Sequence, residues 1–126
     1  MRQLNIIRNR KEYIVKSLEF NYDKLNDLLY VYKRDSNVYS NVVIGDFHLE
    51  LDRKMGVVGL EVLRASELLG EYGISKEILE SLEKVSLKVI TSHNSVLVFL
   101  GFFALNQQKS AAITMNNLES PVMKGV

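Results

Sequence analysis

Hydrophobic and polar residues alternate most strictly between Phe47 and Val62. Phe47, Leu49 and Leu51 are separated by His48, Glu50 and Asp52, and after a four-residue turn Val58, Leu60 and Val62 alternate again. A period of two is the mark of half-buried strands, and two such runs around a short turn make a hairpin. If Asp52 pairs with Val57, then Leu51 meets Val58, Leu49 meets Leu60 and Phe47 meets Val62. All three apolar pairs then share one face, so burial sets the register. Within the turn, Gly56 is the natural residue for a positive φ, and Asp52 can bond the turn backbone.

The same period recurs upstream. Leu18, Phe20 and Tyr22 alternate with Glu19, Asn21 and Asp23, and Leu28, Tyr30 and Tyr32 follow a turn-rich Asp23–Asp27 segment. This predicts a second hairpin with Tyr22 opposite Leu28 and Phe20 opposite Tyr30. Arg34 to Asn37 reads as a polar turn, and Val38 to Ile44 as a third strand ending at Gly45-Asp46. Before Leu18 the pattern is weak: Leu4, Ile6 and Ile7 suit a short strand or an edge, and Arg8 to Lys16 suits the start of a helix equally well. Fraying is expected at that terminus.

Strand character stops at Leu63. Ser66 is placed to cap a brief helix through Leu68 and Leu69 that Gly70 ends, and Ser75 to cap a second of about nine residues, with Ile78, Leu79 and Leu82 on one face. Glu77 and Glu80 suit the start of that helix. Val85, Leu87 and Val89 then alternate with Ser86 and Lys88, Ser92 to Ser95 reads as a turn, and Val96 to Leu105 is apolar on both faces. Asn106 to Lys109 turns the chain into Ala111 to Met115, and an extended tail follows Asn116. The fold expected is α+β: mainly antiparallel sheet of meander and hairpin type, about eight strands, curled or split into two packed sheets, with one or two short helices inserted after the fifth strand. Residues 1–126 form one domain on this reading: a β-meander with a short helix over 18–70, a helix and strands over 71–116, and a tail over 117–126.

Composition narrows the function. The chain has 126 residues, 47% of them hydrophobic, and only one proline, enough for an ordered core. Sixteen basic against fifteen acidic residues leave a charge of +1, so the basic excess expected of a nucleic-acid or anionic-membrane partner is absent. With no cysteine, disulfides and thiolate chemistry are excluded. No signal-peptide pattern opens the chain, and the longest apolar run, Val96 to Leu105, has ten residues where a spanning helix needs about 20. A cytoplasmic protein without a nucleic-acid or membrane partner is expected.

The segments FNYDKLNDLLYVY (Phe20 to Tyr32) and FHLELDRKMGVVGLEVLRAS (Phe47 to Ser66) resemble domain of unknown function 2283, a family of small prokaryotic proteins. They look like its tyrosine-aspartate turn and its Gly-x-x-Gly-Ile-Glu-Ile-Leu-x-Ala-Ser ending. Leu60 and Val62 stand where isoleucine is common, and Lys54 and Met55 where polar or acidic residues are usual. The resemblance covers residues 20–69 and implies a compact sheet-rich domain with no established chemistry. Its motif residues here, of unassigned role, are Tyr22, Asp23, Asp27, Tyr30, Gly59, Glu61 and Ser66.

Candidate chemistry is sparse. Asp23 and Asp27 read as metal ligands or an acid–base pair, but calcium loops need more oxygen ligands at set spacing, and turn capping accounts for both. His48 falls opposite Glu61, either a proton-transfer dyad or, at lower cost, a cross-strand pair on a solvated face. His93 has no ligand-spaced neighbour, no serine sits in a nucleophile elbow, and Gly56-Val57-Val58-Gly59 lacks the ending of a phosphate loop. Gly59 reads instead as a close approach or a bulge. Tyr22, Tyr30, Tyr32 and Tyr39 offer a stacking platform, with core packing preferred because only Lys33 and Arg34 lie among them. No catalytic, cofactor-binding or metal residues are therefore assigned. For FLGFF (Phe99 to Phe103), an internal central strand and a homodimer interface through Val96–Leu105 both stay open. The leading reading is a self-associating, non-enzymatic structural or interaction module of unknown function. The alternative is a ligand-binding or enzymatic domain with a pocket between sheet and helix, using Tyr30, Tyr32, His48 and Glu61.

Overall fold

The computed structural model describes residues 10–92 and 95–115. The expectations for Leu4, Ile6, Ile7, His93 and the tail past Asn116 fall outside that range. Among the described residues there are nine strands: β1 (Lys11–Val15), β2 (Leu18–Asp23), β3 (Leu28–Lys33), β4 (Ser40–Ile44), β5 (Phe47–Leu51), β6 (Val57–Val62), β7 (Lys84–Thr91), β8 (Val96–Ala104) and β9 (Gln107–Met115). Two helices, α1 (Ala65–Gly70) and α2 (Lys76–Glu80), separate β6 from β7. The α+β class and the antiparallel pairing are borne out, and the helices follow the fifth of the expected strands, β1 being the additional one.

The strands form two sheets, β1-β7-β8-β9 and β2-β3-β6-β5-β4. The second departs from a pure meander, because β3 lies beside β6 and the connector after it carries the chain to the far edge, a Greek-key arrangement. Ser17, with φ of 56°, turns the chain from one sheet to the other, and its carbonyl accepts from the Arg34 N–H at 2.9 Å. One continuous core joins the inner faces: Leu29, Val31, Leu60 and Val62 from the five-stranded sheet, Val89, Val98, Leu100 and Phe102 from the other, and Ala65, Leu69, Ile78 and Leu79 from the helices. Full burial of each large apolar side chain here contributes about 1.5–3 kcal/mol.

Several local expectations are corrected. The β2–β3 register is one residue off the predicted one: Tyr22 faces Leu29 and Phe20 faces Val31. The stretch Leu28 to Tyr32 is apolar at every position, so alternation alone does not choose its face. Leu29 and Val31, with no polar atom to satisfy, take the core, and the tyrosines turn outward where their hydroxyls find partners. In the central hairpin Phe47–Val62 and Leu49–Leu60 pair as predicted, but the register shifts after Glu50, and Leu51 meets Val57. Positive φ falls on Met55 (65°) rather than Gly56, because the Asp52 carboxylate accepts from the N–H groups of Lys54 and Gly56 at 2.9 Å each and winds the turn one residue earlier.

Ser75 does cap α2, its hydroxyl accepting from the Ile78 N–H at 3.2 Å, though that helix is a single turn of five residues. Ser66 lies inside α1 instead of capping it, since Arg64 occupies the cap with φ of 50° and its side chain, bonded to Asp46, caps no helix N–H. The β8–β9 turn is only Leu105 and Asn106, so β9 begins at Gln107, four residues before the expected strand.

Candidate functional site

The seven motif residues separate into three places. Asp23 serves its own turn: its carboxylate accepts from the N–H groups of Leu25 and Asn26 at 3.1 Å each and from the Asn26 amide at 2.8 Å. The Asn26 bonds hold its carboxyl below the ordinary value.

Tyr22, Asp27 and Ser66 form a clasp. Asp27 has left-handed backbone (φ 51°) at the end of the β2–β3 loop, which aims it at the start of α1. Its Oδ1 accepts from the Tyr22 hydroxyl at 2.6 Å and the Ser66 N–H at 2.9 Å, its Oδ2 from the Ser66 hydroxyl at 2.7 Å, and its carbonyl from the Ala65 N–H at 2.9 Å. A carboxylate from 39 residues upstream thus does what a capping side chain in the helix would do. Burial pushes the Asp27 carboxyl up, but the hydrogen bonds from Tyr22 and Ser66, with Lys76 nearby, outweigh it and hold the group below the ordinary value. The Tyr22 phenol is driven the other way, well above its ordinary value, by burial and by the bond to Asp27 and its charge. Both carboxylate oxygens and the carbonyl of Asp27 accept hydrogen bonds within the fold, and turn-to-helix capping accounts for all of them.

Tyr30, Gly59 and Glu61 lie on the outward face of the five-stranded sheet. There the Tyr30 hydroxyl donates to Glu50 Oε1 at 2.5 Å, and Tyr30 stacks on Tyr32 with centroids 4.7 Å apart. Burial and the bond to Glu50 raise the Tyr30 phenol well above its ordinary value. Gly59 sits opposite Glu50, and a Cβ there would collide with the Glu50 carboxylate. The close approach read from Gly59 is therefore present, with the bulge beside it at Val58. His48 Nδ1 lies 3.4 Å from Glu61 Oε1, in the predicted cross-strand pairing. Glu50 was not singled out from the sequence, although its alternation with Leu49 and Leu51 places it on this face. Core packing holds for Tyr22; Tyr30 and Tyr32 face outward, and Tyr39 is exposed beneath the Arg53 guanidinium at 4.9 Å.

The structure thus gathers Tyr30, Tyr32, His48 and Glu61, but on a sheet face where each engages a neighbour. A cleft of about 270 Å³ does lie between β2 and α2, lined by Phe20, Tyr22, Lys24, Leu79, Glu80 and Leu82, and none of those four candidates lines it. Among the described residues no group of three or more His, Asp or Glu is placed to hold a metal ion, and no helix is long and apolar enough to cross a membrane.

The four-stranded sheet has a different outward face. β8 is a central strand whose Val96, Val98, Leu100, Phe102 and Ala104 are sealed in the core, while Leu97, Phe99 and Phe103 point outward. Ile90 lies beside Leu97, and Ile14, which is 62% exposed, beside Lys88. The Lys88 ammonium sits 4.9 Å from the Phe99 ring centroid and 3.9 Å from Glu12. Beside Phe99 the backbone is bare at Gly101, where a Cβ would strike the Ser86 hydroxyl. This leaves a shallow groove of about 450 Å³.

The chain is 31% identical over 78 residues to uncharacterised protein MJ0789 of Methanocaldococcus jannaschii, an alignment covering 59% of this chain and 67% of that protein. No family model and no solved structure matches.

Proposed function

The chain belongs to the family of that uncharacterised archaeal protein, and we propose that it is a non-enzymatic interaction module that joins a second copy of itself through the outward face of its four-stranded sheet. The observation that carries this reading is the composition of that face. An antiparallel sheet with one buried side ordinarily turns polar residues to water on the other. Here β8 turns Leu97, Phe99 and Phe103 outward, with the exposed Ile14 and the buried Ile90 beside them, among the polar Lys84, Ser86, Lys88, Gln108, Ser110 and Thr114 of its neighbours.

The features of the face favour a second copy over a charged partner. The face carries both signs, Glu12 on the edge strand β1 and Lys88 and Lys84 on β7, so a two-fold arrangement can set the lysines of one copy against the glutamate of the other. Phe99 and Ile14 stand beside the Gly101 groove and give the face apolar relief for a second copy to pack against. Four strands of this length present roughly 500 Å² in plan. Side-chain relief raises that toward the ~800 Å² per partner of a stable interface.

The test is Phe99→Asp. Light scattering after size exclusion is expected to show half the wild-type particle mass with far-UV circular dichroism unchanged. An unchanged mass would remove the interface. The ligand-pocket alternative gains nothing from Tyr30, Tyr32, His48 and Glu61, which lie outside the sheet–helix cleft.

We also propose that residues 20–69 belong with domain of unknown function 2283. What supports this is the Tyr22–Asp27–Ser66 clasp, which ties its two quoted motifs together. The same clasp in a solved member of that family would bear it out, and its absence there would count against it.

A further inference from the structure

The β8–β9 hairpin closes through Leu105 and Asn106, with φ of 53° and 57°, between the facing residues Ala104 and Gln107. Two left-handed residues in a two-residue loop are the type I′ signature. The closing pair of such a hairpin exchanges both backbone hydrogen bonds, and bonded and non-bonded pairs then alternate. Lys109, Ala111 and Ile113 consequently bond toward β8. The N–H and C=O groups of Gln108, Ser110, Ala112 and Thr114 point away from the sheet. β9 is terminal in the strand order, and no backbone bond beyond the β8–β9 ladder reaches it among the described residues.

Natural proteins blunt such edges with charge, proline, bulges or shortness. The other edges here follow that rule. β1 has five residues and carries Lys11 and Glu12, β4 has five residues, and β2 begins at the Ser17 kink and carries Glu19 and Asp23. β9, QQKSAAITM, has nine residues, an unbroken register with β8, no proline and one charge.

We propose that β9 pairs antiparallel with β9 of a second copy, joining two four-stranded sheets into one of eight strands. Antiparallel self-pairing is isologous and therefore closes. Centred on Ala111 or Ala112, it sets Lys109 opposite residues 113 to 115, so the charge does not meet its own copy. Ser110, Ala112 and Thr114 keep the outward side flat. This contact does not depend on the proposed face contact. Its two-fold axis is perpendicular to the sheet, whereas that of the face contact lies along it. The two together close a four-copy assembly where the two axes intersect.

Ala112→Pro tests the edge, because it removes an N–H that β8 does not use at a position where an edge strand accepts proline. Light scattering is expected to show the particle mass halved for Ala112→Pro, with circular dichroism retained. Combined with Phe99→Asp, the expected mass is that of one copy. An unchanged mass for folded Ala112→Pro overturns the edge pairing whatever Phe99→Asp does. A loss on Phe99→Asp alone leaves only the face contact, and a loss on Ala112→Pro alone leaves only the edge. Amide hydrogen exchange in the wild type provides a check that needs no variant. The amides of Ser110 and Ala112 are expected to exchange at least about tenfold more slowly in the assembled protein than after dilution. Equal, fast exchange at both concentrations overturns the proposal.

Discussion

Asp27 joins the first hairpin to the first helix, and its replacement has a definite cost. Asp27→Ala removes the acceptor for Tyr22 and for both donors of Ser66 and is expected to destabilise by about 0.5–2 kcal/mol in urea unfolding. Its carboxyl is held below the unfolded value of about 3.9, so the clasp contributes fully above that pH and is lost as pH falls through the folded value. Tm should therefore fall on acidification below about pH 4, and Asp27→Asn should flatten that limb. On the other face, Glu50→Gln removes a charge that raises the Tyr30 phenol, so ultraviolet titration should show one tyrosine ionising at lower pH than in the wild type. An unaltered titration would contradict the Tyr30–Glu50 bond. Asp23 was legible as a turn residue because its partners are two and three positions away. Asp27 was not legible as a cap, because its partner is 39 residues off and only the folded chain brings them together.

At the scale of elements, the readable strands are those with one polar face. β5 and β6 are legible from Phe47 to Val62 because His48, Glu50 and Glu61 mark the outward side, while the register shift after Glu50 and the positive φ at Met55 depend on the turn's own hydrogen bonds. The register of β3 is not legible locally, because Leu28 to Tyr32 offers no charged or amide position to mark its outward side. The strand order of the larger sheet follows from β3 meeting β6, a long-range contact that no local pattern carries. The β8–β9 turn is shorter than its sequence suggests because Leu105, 47% exposed and left-handed, is an unusual residue for a type I′ loop. L-residues other than Gly, Asn and Asp are disfavoured there by roughly 1–2 kcal/mol. Leu105→Asn is thus expected to stabilise the protein by about 0.5–1 kcal/mol, read as a shifted urea midpoint with unchanged slope. A lower midpoint would show that Leu105 makes a contact worth more than its strain.

For the whole molecule, neighbouring residues of β8 act on opposite sides of one sheet. Phe102 belongs to the shared core of both sheets, so Phe102→Ala should cost about 3–5 kcal/mol of stability. Phe99 lies on the other side, and its replacement should act on association instead. FLGFF was legible as special, and the structure bears on its internal-strand reading: the strand is central, and only alternate residues are buried. Association through the outward residues is the central claim, and a dilution series of the wild type by light scattering tests it most directly. The account predicts a particle mass that is a multiple of the 14.4 kDa chain at high concentration and falls toward that value on dilution. A mass of 14.4 kDa at every concentration would contradict it.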